Sequence, residues 1–293
     1  MSRIIISTES GADLPYKITV PNAIEVVPMH VTFGKRTLSD GNFDISEIDN
    51  YFRENKKLPK TSAVNPKEYI RHFGAVFQKY KDCKVIHISY SSTLSASYQN
   101  AVIASTEFGP DRLCVINSQN GSIGTGVLVM KACEIAKRFS GTASFEECIS
   151  LIKQQRSMIR CSFLPDKLDY LRAGGRISGI AHLGASVLNL KPSIVVENDG
   201  TLAAGKKYRG NMSKIAFTAM DDFAIHNTLD RDFIVIGYAY AIGKPLLFAL
   251  KRHAHKLGFK KSWCFQLGSA VTSHTGPVCI GYAGVSEYPF EEK

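Results

Sequence analysis

With 293 residues, 44% of them hydrophobic and 21% charged, the chain has enough apolar material for one large or two medium folded domains, and wholesale disorder is excluded. No stretch approaches the roughly 18 apolar residues of a membrane span, and MSRIIISTESGADLP has an apolar run of only three, unlike a signal peptide, so a cytoplasmic setting is expected. The net charge of +10 lies in short clusters (Lys206, Lys207, Arg209; Lys251, Arg252, Lys256, Lys260, Lys261) without an aromatic ladder, so no nucleic-acid partner is expected. An ordinary solvated face, an acidic protein partner or transient contact with an anionic membrane surface all fit that charge.

Residues 3–8 (RIIIST) read as a strand followed by turn chemistry, and residues 25–33 (EVVPMHVTF) as a second strand with Pro28 at an edge or bulge. Asp44-x-x-Glu47 is a capping box opening a helix whose Ile45, Ile48 and Phe52 share a face. LPKTSAVNP is a hydroxyl-rich loop, after which Asn65-Pro66 starts a helix with Tyr69, Phe73, Val76, Phe77 and Tyr80 as its buried stripe. Residues 85–90 (VIHISY) form a strand, and Leu94, Tyr98 and Val102 recur at helical spacing, so the chain turns at Ser91 and Ser92. At such a turn the first helical N–H groups are unpaired, and Ser91, Ser92 and Ser95 can surround a small anionic group without Lys or Arg; a plain serine cap is the commoner outcome.

A strand at residues 113–117, a helix rich in small residues at 121–138 and a capping box at Ser144-x-x-Glu147 continue the alternation. That pattern predicts a mostly parallel sheet, with ligands at the carboxyl ends of its strands, where Thr61, Ser62, Ser91 and Ser92 fall. From about residue 160 the texture changes. AGGRISG holds Gly174, Gly175 and Arg176, residues 180–191 are apolar and small, and residues 193–204 read as a hairpin around Asn198-Asp199-Gly200. A helix at 212–225, a strand at 233–240, a helix at 245–257 and strands at 263–267 and 278–282 complete a second α/β unit with a mixed sheet. The predicted domains are 1–158 and 159–293, packed closely around a crevice.

Familiar catalytic signatures are missing. No G-x-G-x-x-G follows a strand, and Gly121, Gly124 and Gly126 point to close helix packing. No nucleophile elbow G-x-S-x-G occurs. The seven cysteines are widely spaced in apolar runs, without metal-ligand spacing, and read as reduced core residues; His253 and His255 read as exposed, so no metal site is expected. His274, in SHTGP, reads as lying in a polar turn between strands, where a side chain can be held in a crevice.

SSTLSASYQ, PKTS, DKLDYLRAGGRIS, LNLKPSIVVENDGTL, KKYRG and SHTGP, in that order and at these separations, resemble the DegV-like fatty acid-binding family over nearly the whole chain. The resemblance implies two α/β domains enclosing one long-chain fatty acid in a tunnel, and a binding subunit that presents the carboxylate to a partner fatty acid kinase. It implies no catalytic residue and no cofactor beyond the bound fatty acid. Thr61 and Ser92 are the implied carboxylate ligands, with Ser62, Ser91 and Ser95 as alternatives. His274 completes the head-group site, and Arg176 and Arg209 match positions that help dock the kinase.

The physical reading agrees: about 0.8 kcal/mol per buried methylene lets the tail supply most of the affinity, while hydroxyls and a histidine hold the carboxylate without trapping it. The sequence departs from the family pattern at Glu9, Ala63, Ala96, Asn117 and Val278. The rival reading is a serine hydrolase, with Ser91, Ser92 or Ser95 as nucleophile and His274 as base.

Overall fold

The structure, a computed structural model, describes residues 3–139, 144–176 and 190–290. Strand β1 (Arg3–Glu9) leads through a 3-10 turn (Ser10–Ala12) and short helix α1 (Tyr16–Thr19) to β2 (Glu25–Val27). Strands β3 (His30–Phe33) and β4 (Arg36–Ser39), helix α2 (Glu47–Asn55), strand β5 (Lys60–Ser62) and helix α3 (Pro66–Lys79) follow. Then come β6 (Cys83–Ser89), α4 (Ser97–Ser105), β7 (Leu113–Asn117), α5 (Ile123–Phe139) and α6 (Phe145–Met158). The second half runs β8 (Ile159–Pro165), α7 (Asp169–Ala173), β9 (Leu190–Val196), β10 (Leu202–Arg209), α8 (Met212–His226) and β11 (Phe233–Tyr238). It closes with α9 (Lys244–Lys256), β12 (Lys261–Gln266), α10 (Ser269–Thr275) and β13 (Cys279–Val285).

The fold is mixed α/β. Its first sheet, ordered β2-β1-β6-β7, is parallel throughout, and β1 and β6 are buried on both faces, their isoleucines and valine alongside buried polar groups at the strand ends. The second sheet, β10-β9-β8-β13-β11-β12, is mixed: antiparallel except for the β11–β12 pair. A small antiparallel sheet, β4-β3-β5, sits beside the first. Helix α5 packs against β1, β6, β8, β11 and β13, so it is buried around most of its circumference and joins both large sheets in one core. The expected close packing of its glycines is found: a Cβ at Gly126 would stand 2.6 Å from the Ala12 carbonyl.

Several local expectations are corrected. Residues 25–33 are two strands in different sheets, because Pro28 cannot continue the ladder. The Asp44/Glu47 box does not close: Asp44 instead accepts the Ser46 N–H (2.9 Å) and hydroxyl (2.7 Å), and Glu47 pairs with Arg36. Thr61 and Ser62 belong to strand β5 rather than a loop, paired in register with Val31 and His30. The helix after Ser91 starts only at Ser97; residues 91–95 form a separate hydrogen-bonded turn. Ser144 caps α6 through the Glu147 N–H (3.1 Å). Asn65 caps α3 in the full reciprocal box with Glu68. Most of the apolar segment expected at 180–191 lies outside the described residues.

Candidate functional site

His274 is not in a turn but in the last turn of α10, a seven-residue helix too short to be stable alone. Its Ncap, Gly268, offers no side chain, and the unpaired N–H groups are met from the other half of the chain. Asp13 Oδ1 accepts the Gly268 N–H (2.8 Å); Asp40 Oδ1 accepts the N–H groups of Ser269 (2.8 Å) and Ala270 (3.2 Å) and the Ser269 hydroxyl. Asp13 also accepts the Ser122 hydroxyl (2.5 Å). Burial pushes the Asp13 carboxyl up to about 8, against the bonds from Ser122 and Gly268, and nearby Asp40 adds to the rise.

Held this way, α10 sets His274 Nε2 2.7 Å from Thr61 Oγ1 on β5. Nδ1 is buried and has no partner among the described residues; it packs on Gly174, where a Cβ would lie 2.1 Å away. Burial, then the charge of Arg176, lower His274 to about 4, so the ring is neutral at neutral pH. With the proton on Nε2, the ring donates to Thr61 and leaves the threonine hydroxyl hydrogen free for another acceptor.

With Arg176 this pair makes one polar end of a cavity that takes in about 900 Å³ of atom-free space, the open solvent at its mouth included. Met29, Leu94, Ile123, Phe163, Val196, Leu202, Leu267 and Val271 make most of its wall apolar. Both halves contribute, and among the described residues the polar groups are few: Thr61, Ser62, Ser95, Ser122, Arg176, His274 and Thr275 besides the Tyr90 phenol. Thr61, Arg176 and His274 also line an adjoining surface depression, so the polar end faces outward.

Of the residues singled out from sequence, Thr61, Ser62, Ser95, His274 and Arg176 come together here. Ser91 and Ser92 do not line the cavity. Ser91 is buried and, with Thr93, donates to the Gly200 carbonyl (3.2 and 2.7 Å), fastening the β9–β10 hairpin tip to the first half. Gly200 has φ +86° and a Cβ there would strike Ser91 Oγ, so the close approach requires glycine. Ser92 is exposed and tied to Asn117, whose Nδ2 donates to its hydroxyl (2.8 Å). Arg176 is held by the Gly174 carbonyl (2.7 Å), whereas Arg209 lies in a separate hollow with Asp166 and Lys191.

Among the departures, Ala63 lines the cavity and Ala96 and Val278 do not. The serine hydrolase reading finds no support. His274 bonds Thr61 rather than a serine, and among the described residues no carboxylate orients its Nδ1. His255 is exposed as expected, whereas His253 is half-buried and bonds Asp221 (2.5 Å). The described residues contain no cluster of three metal-ligating groups.

Sequence reasoning missed the polar network behind the cavity. Glu9 is buried, its Oε1 accepting from Tyr69, Ser89 (2.6 Å) and His87 (3.1 Å), its Oε2 from the Tyr90 N–H (3.0 Å). Burial alone raises the Glu9 pKa, but His87 and the hydroxyl donors outweigh it and leave the carboxyl below its ordinary value. The network fixes Tyr90, whose ring lines the cavity. The roles of Asp40 and Gly174 were also missed, since neither has a local sequence pattern that marks a contact a hundred or more residues away in the chain.

Fold and cavity define a class: an α/β protein with two large sheets, whose two halves together line a mostly apolar cavity carrying the Thr61–His274 pair. The model of the DegV family, described as "Uncharacterised protein, DegV family", matches residues 3–287, and the chain belongs to that family. A DegV domain-containing protein of Caldanaerobacter subterraneus subsp. tengcongensis is 31% identical, with 100% of both chains covered. The chain is similar to the structure titled for fatty acid binding of a DegV family protein from Thermus thermophilus: TM-score 0.83, 27% identity, 97% of this chain and 99% of the other covered. It shares its fold with the Streptococcus pneumoniae Fatty Acid Kinase (Fak) B3 protein loaded with linoleic acid, at TM-score 0.82 and 20% identity, covering 97% and 100% of the two chains.

Proposed function

We propose that the protein binds one long-chain fatty acid, with the tail in the apolar cavity and the carboxylate at the Thr61–His274 pair. The observation that carries this reading is the cavity itself, apolar along most of its wall, with Thr61 and His274 2.7 Å apart on its lining. The Thermus thermophilus relative, with fatty acid binding in its title, supports the ligand class. Each methylene withdrawn from water contributes about 0.8 kcal/mol, so the tail supplies affinity and the head group supplies orientation. The neutral histidine and the Thr61 hydroxyl orient the anion, and Arg176 on the same cavity lining is held by the Gly174 carbonyl.

The further reading is a carrier without catalytic residues that presents the carboxylate to a separate fatty acid kinase. It is supported by the outward position of the polar end and by the kinase named for the Streptococcus pneumoniae neighbour. A cytoplasmic setting, transient membrane contact, docking through Arg176 and Arg209, and a division into domains 1–158 and 159–293 belong to the same proposal. Native mass spectrometry of the protein purified without organic solvent is expected to show one long-chain fatty acid per chain. A protein that carries no lipid and takes up none from oleate-loaded albumin overturns the reading.

A further inference from the structure

A second concavity adjoins the polar end from outside, holding about 1290 Å³ of atom-free space open to solvent. Its described lining residues include Lys56, Lys57, Lys60 and Arg176 and no carboxylate. The three lysines are exposed at the end of α2 and the start of β5. Lys56 caps α2 with φ +54°, turning the chain so that Lys56, Lys57 and Lys60 border one hollow. The wall between this hollow and the inner cavity is made by Thr61, His274 and Arg176, and Gly174, on which His274 Nδ1 rests without a partner, lies on the outer side. The chamber therefore opens through a gate that holds the neutral Thr61–His274 pair and one cation, Arg176, and three lysines border the hollow beyond it. A carboxylate needs only the gate; the added lysines suit a group of greater charge located one bond further out.

We propose that the Lys56–Lys57–Lys60–Arg176 hollow is a phosphoryl subsite, which holds the phosphate of an acyl phosphate whose tail still occupies the inner cavity. The inference rests on the fatty acid reading above. In the transfer, a carboxylate oxygen forms a bond to the terminal phosphorus of a nucleoside triphosphate, the bond to the leaving diphosphate breaks, and no proton is consumed. The single charge of the fatty acid becomes the double charge of its phosphate, and the outer lysines favour the product over the substrate.

The test uses the full chain, palmitate, and 2-oxoheptadecylphosphonate, in which a methylene replaces the bridging oxygen of palmitoyl phosphate. In the Lys56→Gln/Lys57→Gln/Lys60→Gln variant, phosphonate affinity is expected to fall at least about tenfold while palmitate affinity stays within about twofold. The triple Lys→Arg variant is expected to retain the phosphonate, and wild-type phosphonate binding to weaken with salt. Equal loss for both ligands, or no loss for the phosphonate, overturns the subsite. Wild-type protein that binds palmitate but not the phosphonate overturns the subsite alone, and protein that binds neither overturns the fatty acid reading with it.

Discussion

Gly174→Ala tests the polar end without touching any residue that faces the ligand. Gly174 has φ −74° and ψ −12°, so alanine is conformationally acceptable and the whole effect comes from its methyl group. That methyl would lie 2.1 Å from His274 Nδ1 and 2.9 Å from Cε1, where ordinary contact begins at 3.4 Å; the Tyr170 carbonyl at 3.1 Å asks for far less movement. The ring must retreat by more than an ångström, and the 2.7 Å bond to Thr61 cannot survive that shift. Losing one hydrogen bond to a charged group costs about 1.5–3 kcal/mol, or roughly ten- to hundredfold in affinity. Displacement of a fluorescent fatty acid by palmitate reads the loss, and hexadecanol, which has the same tail without the charge, should lose far less. In a His274→Ala background the same substitution should cost nothing further. Palmitate affinity that stays within about twofold, or an equal cost with and without His274, refutes the geometry.

Two other outcomes follow. Ser92→Ala should leave palmitate affinity within about twofold, because Ser92 lies off the cavity wall, whereas Thr61→Val should lower it about tenfold; the same displacement assay ranks them. The Asp13 carboxyl moves from an unfolded value of 3.8 to about 8 in the fold, so the folded state holds the extra proton between those values. That term destabilises the protein increasingly as pH rises from 3.8 and saturates above 8. Asp13→Asn removes it, so urea titrations from pH 5 to about 8.5 should show the variant gaining on wild type as pH rises, and parallel curves would contradict the assignment.

Much of this was legible locally. The alternation of short strands with helices announced a parallel sheet, and Asn65-Pro66 announced the start of α3, because element type and capping are written in neighbouring residues. The short elements were not. Thr61 sits in a three-residue strand that exists only by pairing with β3, and His274 in a seven-residue helix that exists because Asp13 and Asp40 cap it. SHTGP has turn composition, and local propensity favours a turn there; the tertiary caps override it. The serines after β6 divide: Ser95 lines the cavity, while Ser91 donates to the Gly200 carbonyl and Ser92 accepts from Asn117 off the cavity wall, partners that no local pattern reveals.

The placement of those caps bears on how the site works. Asp13 and Asp40 belong to the first half of the chain, α10 to the second, and Thr61 to the first again, so the Thr61–His274 bond is the last link of a closed circuit between halves. The circuit's members are far apart in sequence, and each bond alone is worth about 1 kcal/mol, too little to bring the halves together. The apolar wall does that through the core shared by both sheets, with α5 between them. The hydrogen bonds then fix where the polar end stands relative to the cationic hollow outside it. A ligand that fills the cavity adds apolar contact to both halves at once, so its binding energy also stabilises the arrangement that orients its head group.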